Sequence, residues 1–140
     1  MMNDINIYSF YKEEKVYGDK RVETLFARGK SFVAYPLRVV YNETNYPTSF
    51  SLSILITVPK KRIKSAVKRN KIKRRISEAY RLNKHIINDV RNKDGRRFDI
   101  GFVYVKDEVA DFATIEKGVI KALIGLKNKL FFIEKNNEND

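Results

Sequence analysis

Apolar and polar residues along this chain fall into runs with either a helical or an extended period. Between residues 19 and 28, Val22, Leu25 and Phe26 recur at i, i+3 and i+4, the spacing of one helix face. Asp19 stands where it can cap that helix, and Gly29 where it can end it. Residues 32–41 are β-branched and aromatic and predict a strand, with Pro36 marking an edge position or a bulge. Residues 42–48, NETNYPT, are a turn cluster. Residues 50–58 then alternate with period two: Leu52, Ile54, Ile56 and Val58 point one way, Ser51, Ser53 and Thr57 the other. The two extended runs are expected to pair as a β-hairpin with one face on a core.

Pro59 ends that strand. From Ser65 onward, Ile72, Ile76, Ala79 and Tyr80 return to helical spacing and predict an amphipathic helix to about residue 82. HIINDV either prolongs it or forms a short second helix. Residues 92–97, NKDGRR, are a turn, and residues 98–105, FDIGFVYV, are apolar on both faces, as in a central or parallel strand. Asp111 offers an N-cap to a last helix whose Ile115, Val119, Ala122, Leu123 and Leu126 share a face. Residues 1–17 show no period and read as a flexible N-terminal arm; residues 134–140 read as a disordered acidic tail. Residues 18–133 remain as a single domain without repeats or linkers. The element order predicts an α+β fold: an αββαβα two-layer sandwich around a small mixed sheet, its second and third strands parallel across a long helix.

Charge changes the picture at one place. Residues 60–84 hold twelve Lys and Arg against one acid, Glu78, for a net charge of +11, while the whole chain carries +12. The remainder, 17 bases and 16 acids, is nearly neutral. One helix and its lead-in therefore set the electrostatics, and a polyanion is the partner that fits them. A merely solvated helix face would carry acids among its bases, and like charges at i, i+4, such as Arg69 and Lys73, each cost a few tenths of a kcal/mol. Unrolled at about 100° per residue, Arg69 and Lys73 lie on one flank of the buried stripe with Asn70 beside them and Ser77 further along. Lys71, Arg74 and Glu78 are expected on the far side, with Arg75 and Lys68 on the opposite flank. Asn70 adds a two-way hydrogen bonder suited to a base edge or a ribose hydroxyl.

Composition excludes other classes. There is no cysteine, hence no disulfide, thiolate metal site or cysteine nucleophile. The single histidine, His85, lies in a polar stretch, and the acids are scattered singly or in adjacent pairs such as Glu13–Glu14 and Asp107–Glu108. No catalytic residue and no metal ligand set is assigned to the polypeptide. No apolar run approaches the roughly 20 residues of a membrane helix, and residues 1–15 lack a signal-peptide core, so the expected location is the cytoplasm and no membrane partner is expected. A DNA-binding reading would require dimer geometry that nothing in the sequence supplies.

The run SAVKRNKIKRRISEAY resembles the signature of the bacterial ribonuclease P protein component, in which an A-V-x-R-N-basic-x-K-R pattern opens the long helix. Ala66, Val67, Arg69, Asn70, Lys71, Lys73 and Arg74 match it in order. Val58, Lys60 and Lys61 are similar to the family's V-x-K-K strand end, LFARGKSF to the end of its first helix, and FDIGFVYV to its later strand. The resemblance spans roughly residues 10–130. Lys71 stands where the family's R-N-R triplet ends in arginine, Ser77 where it has a further arginine, and Val22 where its first helix often has an aromatic.

The resemblance implies a fold like the second domain of ribosomal protein S5, with a left-handed βαβ crossover where chirality statistics alone favour a right-handed one in about 98 % of cases. It implies an accessory subunit of a ribonucleoprotein endoribonuclease. The RNA subunit carries out Mg2+-dependent hydrolysis that removes the 5′ leader of precursor tRNA, and the protein binds both that RNA and the leader. On this resemblance Lys60, Lys61, Lys68, Arg69, Asn70, Lys71, Lys73 and Arg74 are RNA-binding candidates. Arg69, Asn70 and Lys73 would face the leader, and Lys68, Lys71 and Arg74 the RNA subunit. Phe26 would stack on a leader base, with Arg38, Val40, Ser53 and Leu55 as the cleft floor by strand alternation. The competing reading is a ribosomal or other structured-RNA-binding protein with no part in RNA cleavage.

Overall fold

The structure, a computed structural model, describes residues 14–46, 51–90 and 96–139, with residues 88–90 and 131–139 as backbone only. The first helix, α1, is Asp19–Arg28, as its apolar spacing predicts. Its cap differs from expectation: Gly18 is the N-cap, with φ 93°, and Asp19 opens the first turn without a capping hydrogen bond. A positive φ suits glycine, so the chain turns into α1 on a residue without a Cβ. At the other end Gly29 is needed for space. Its φ is −69°, but a Cβ there would stand 2.4 Å from the Leu25 carbonyl oxygen and 2.6 Å from Val40 Cγ1.

The expected strand over residues 32–41 is two strands. Strand β1, Lys30–Ala34, and β2, Leu37–Thr44, pair antiparallel around a turn at a cis Tyr35–Pro36 peptide. Proline, with no N–H to give a ladder, occupies the turn. Strand β3 is Leu52–Thr57, and β4 is Arg97–Tyr104. The sheet order is β1-β2-β4-β3, so β4 separates the two runs expected to form a hairpin. It pairs antiparallel with β2 and parallel with β3. The parallel partner and the all-apolar character of β4 are as its sequence predicts: all of its residues but Arg97 are buried.

Helix α2, Ala66–Asn83, and a 3-10 segment, Lys84–Val90, make the crossover from β3 to β4. Ser65 caps α2 by accepting the Lys68 N–H. Ile72, Ile76, Ala79 and Tyr80 are at most 1 % exposed and form the buried stripe. Helix α3, Phe112–Asn139, is capped by Asp111, whose Oδ1 accepts the Thr114 N–H at 2.9 Å. Hydrogen bonding from the Thr114 side chain and from this backbone N–H holds the Asp111 carboxyl below its usual value. Helix α3 continues to Asn139, through the stretch read from sequence as an acidic tail.

Helices α2 and α3 cover one face of the sheet. There Leu37, Val39, Tyr41, Leu52, Ile54, Ile100, Phe102 and Tyr104 pack against the α2 stripe and against Ile115, Val119, Ala122, Leu123 and Leu126 of α3, all five fully buried. Each large aliphatic side chain so buried contributes about 1.5–3 kcal/mol. Burial also raises the Tyr41 and Tyr104 phenols above their usual value. Among the described helices α1 alone lies on the opposite face, where Leu25, Val40 and Val103 form a second, smaller cluster edged by Leu55 and Val105.

Residues 14–17, read from sequence as part of a loose arm, are fastened to the body. Lys15 bridges to Ile54, the Val16 N–H donates to the Ile54 carbonyl at 2.9 Å, and Val16 is buried. Glu14 is paired with Lys84 at 2.9 and 3.2 Å, the side chains 1 % and 5 % exposed. The arm upstream, residues 1–13, lies outside the described residues.

Candidate nucleic-acid interface

The sheet face under α1 is built from aligned rows. Asn42 and Ser53 are the register partners of Asp99, Val40 and Leu55 those of Gly101, and Arg38 and Thr57 those of Val103. Helix α1 crosses the first two rows. Arg21 reaches Asp99 through two hydrogen bonds, Nε to Oδ2 at 3.0 Å and a guanidinium NH2 to Oδ1 at 2.7 Å, with side chains 10 % and 4 % exposed. The guanidinium also lies 3.8 Å from the centroid of the Tyr46 ring. One turn on, Leu25 and Phe26 cover Gly101: a Cβ there would be 3.4 Å from Leu25 Cδ2 and 3.7 Å from Phe26 Cζ. In the third row Val103 is buried in the Leu25 cluster, Thr57 is half-buried and Arg38 is exposed.

The five residues expected to make a cleft thus share one face, but they do not share one exposure. Phe26 and Arg38 are exposed and Leu55 half-buried, so these can meet a ligand. Val40 and Ser53, both 1 % exposed, cannot: strand alternation gives the side of the sheet a residue is on, not what covers it. Val40 lies in the Leu25 cluster.

The basic residues border two separate grooves. The first, about 660 Å3, runs along the α2 N-terminus between Arg62, Lys64, Lys68 and Lys71 on one side and Asp107–Val109 on the other. The second, about 290 Å3, lies between the β3 edge (Ile54–Ile56), residues 15–17, and Lys73, Arg74 and Ser77 of α2. Arg74 therefore borders the same groove as Lys73, whereas unrolling the helix at about 100° per residue groups it with Lys71. Asn70 precedes Lys73 by three residues and Arg74 by four, so it stands over the same face of α2. Lys60 and Lys61 are exposed in the turn after β3.

Arg69 has another task. One of its guanidinium nitrogens donates to the Ile63 and Lys64 carbonyls at 3.0 and 2.8 Å, tying the basic lead-in to the helix. Arg75 likewise donates to the Ala110 carbonyl, and Arg81 pairs with Glu78. Lys60, Lys61, Lys64, Lys68, Lys71, Lys73 and Arg74 form no ion pair among the described residues. Seven such cations on 15 residues of chain give this surface an excess of positive charge, set against Asp107 and Glu108 across the first groove.

Lys15, Tyr17 and Lys64 were not anticipated from sequence as parts of these grooves. Lys64 was legible within the charge run, whereas Lys15 and Tyr17 precede the first periodic segment and carry no signal of their own. Among the described residues no three His, Cys, Asp or Glu side chains gather where they could hold a metal ion, and no helix is long and apolar enough to cross a membrane.

Comparison with known proteins identifies the family. A profile of the ribonuclease P family matches residues 10–127. The ribonuclease P protein component of Porphyromonas gingivalis ATCC 33277 is 44% identical over 117 residues, 84% of this chain and 85% of the relative. The solved RNase P protein from Thermotoga maritima superposes with a TM-score of 0.63 at 25% identity, over 80% of this chain and 96% of that one. That of Staphylococcus aureus shares the fold, with a TM-score of 0.61 at 21% identity, over 81% and 94% of the two chains. The chain is a member of the bacterial ribonuclease P protein component family.

Proposed function

We propose that this chain binds the catalytic RNA subunit of ribonuclease P and the 5′ leader of precursor tRNA, and so assists endonucleolytic removal of the leader in a cytoplasmic ribonucleoprotein. Hydrolysis belongs to the RNA subunit and its Mg2+. The observation that carries the reading is that five of the seven cations border two separate grooves, Lys64, Lys68 and Lys71 the first and Lys73 and Arg74 the second, and that the second is also lined by Leu55 and Tyr17. A single strand needs cations along its backbone and apolar or aromatic surface for its bases, and the Lys73–Arg74 groove offers both. The Lys64–Lys68–Lys71 groove offers charge without aromatic surface, which suits the phosphates of a folded RNA.

In this arrangement Asn70, Lys73 and Arg74 hold the leader backbone, and Lys60, Lys61, Lys68 and Lys71 contact the RNA subunit. Arg69 shapes the lead-in loop that carries Lys60 to Lys64. The protein contributes binding energy and position, and takes no proton or nucleophilic role. Reconstitution tests this: the chain mixed with a bacterial ribonuclease P RNA should restore leader removal from precursor tRNA at a magnesium concentration where the RNA alone is inactive. No stimulation, with RNA binding intact, would favour a structured-RNA-binding protein of another assembly.

A further inference from the structure

Tyr17 lines two cavities at once. On one side is the Lys73–Arg74 groove, and on the other a cavity of about 600 Å3 bounded by Arg21, Asn42, Thr44, Tyr46 and Asp99. The residue is 52 % exposed, but its backbone is held on both sides. Val16 before it is buried and hydrogen-bonded to Ile54, and Gly18 after it caps α1, its carbonyl accepting the Val22 N–H. Three residues upstream of Tyr17, Glu14 is locked to Lys84. An exposed aromatic on a fixed backbone loses little freedom when something stacks on it, which is the condition for a stacking platform.

The two cavities differ in charge. The groove has Lys73 and Arg74, so it takes phosphate. The larger cavity has the carboxylates of Asp19 and Asp99 balanced by Lys20 and Arg21, the latter bound to Asp99, together with the Asn42 amide and the Tyr46 ring. Its charges balance, so unlike the groove it has no excess of cations to draw phosphate, and its aromatic surface and amide hydrogen bonds suit a nucleobase. At about 600 Å3 it lies within the range of small-molecule sites.

We infer that Tyr17 is a wedge between successive leader nucleotides, stacking on one base and directing it into the polar cavity lined by Asn42 and Tyr46 while the adjoining phosphate lies on Lys73 and Arg74. This rests on the proposed binding of the leader. It adds a second aromatic subsite to Phe26, at the opposite end of α1.

The test uses the holoenzyme reconstituted with ribonuclease P RNA and precursor tRNAs in which each leader position in turn is abasic. With the wild-type protein one abasic position should lower affinity about 10-fold, the effect of losing one stacked base. Tyr17→Ala should bind the intact precursor about 10-fold more weakly and show no further loss at that position, whereas Tyr17→Phe should behave as wild type. Affinity for mature tRNA and for the RNA subunit should not move. If Tyr17→Ala retains the wild-type abasic profile, the wedge is refuted while leader binding stands. If the wild-type holoenzyme does not distinguish precursor from mature tRNA, the leader reading itself fails and the wedge with it.

Discussion

Replacing Lys84 by methionine removes one member of the Glu14–Lys84 pair and leaves a carboxylate in a site where the two side chains are 1 % and 5 % exposed. Breaking a buried pair by removing one partner destabilises by about 3–5 kcal/mol, far more than the roughly 0–1 kcal/mol of a surface pair. With an unfolding entropy near 2.1 cal/mol/K per residue, a chain of 140 residues should lose about 10–17 °C in Tm. The double variant Glu14→Leu with Lys84→Met removes both charges and should recover most of that loss, because well-packed apolar residues replace a buried pair at little or no net cost. Urea unfolding of the wild type, both single variants and the double variant gives the coupling directly. A loss below about 1 kcal/mol for Lys84→Met, or a double variant no more stable than the singles, would mean that water reaches the pair and that residues 14–17 are not anchored by it.

Gly29→Ala should destabilise by about 1–3 kcal/mol in the same urea assay, since its Cβ would meet the Leu25 carbonyl and Val40 together; an unchanged midpoint would contradict the close approach. Asp111, with its carboxyl held below the usual 3.8 by Thr114, contributes stability that is present above that value and lost as pH falls through the lower folded-state value. The stability difference between wild type and Asp111→Asn should therefore shrink as pH drops below about 4, and a difference that stays constant to pH 2 would refute the cap's electrostatic role. Lys68→Ala should lower the steepness of the salt dependence of RNA-subunit binding by about 0.7–0.9 in the log–log slope, one phosphate contact; an unaltered slope would remove Lys68 from the interface.

Local pattern accounts for the elements read correctly from sequence. Helix α1, the buried stripes of α2 and α3 and the two-sided burial of β4 follow from spacing that each segment carries by itself. What spacing does not carry is partnership. Residues 32–41 keep their extended character through Pro36, so the turn between β1 and β2 reads as an irregularity within one strand. The insertion of β4 between β2 and β3 is decided by long-range packing that neither strand's alternation encodes. At the interface, the cations of α2 were legible because charge runs need no tertiary context. Arg74's grouping was not, since at about 200° from Ile72 it lies between the two flanks and the neighbouring β3 edge decides which groove it borders. Ser53, polar on a face expected to be open, is buried because its row is also that of Asp99 and Arg21. Tyr17 acquires its place only from Val16 on β3 and Gly18 at the α1 cap.

The central claim is that the two grooves bind different RNAs, and Arg74→Ala and Lys71→Ala measured side by side in the reconstituted holoenzyme test it most directly. Arg74→Ala should reduce the affinity for precursor tRNA relative to mature tRNA, with assembly on the RNA subunit unchanged. Lys71→Ala should weaken assembly and leave the preference for precursor intact. Equal effects of both variants on both affinities, or the reverse pattern, would contradict the account.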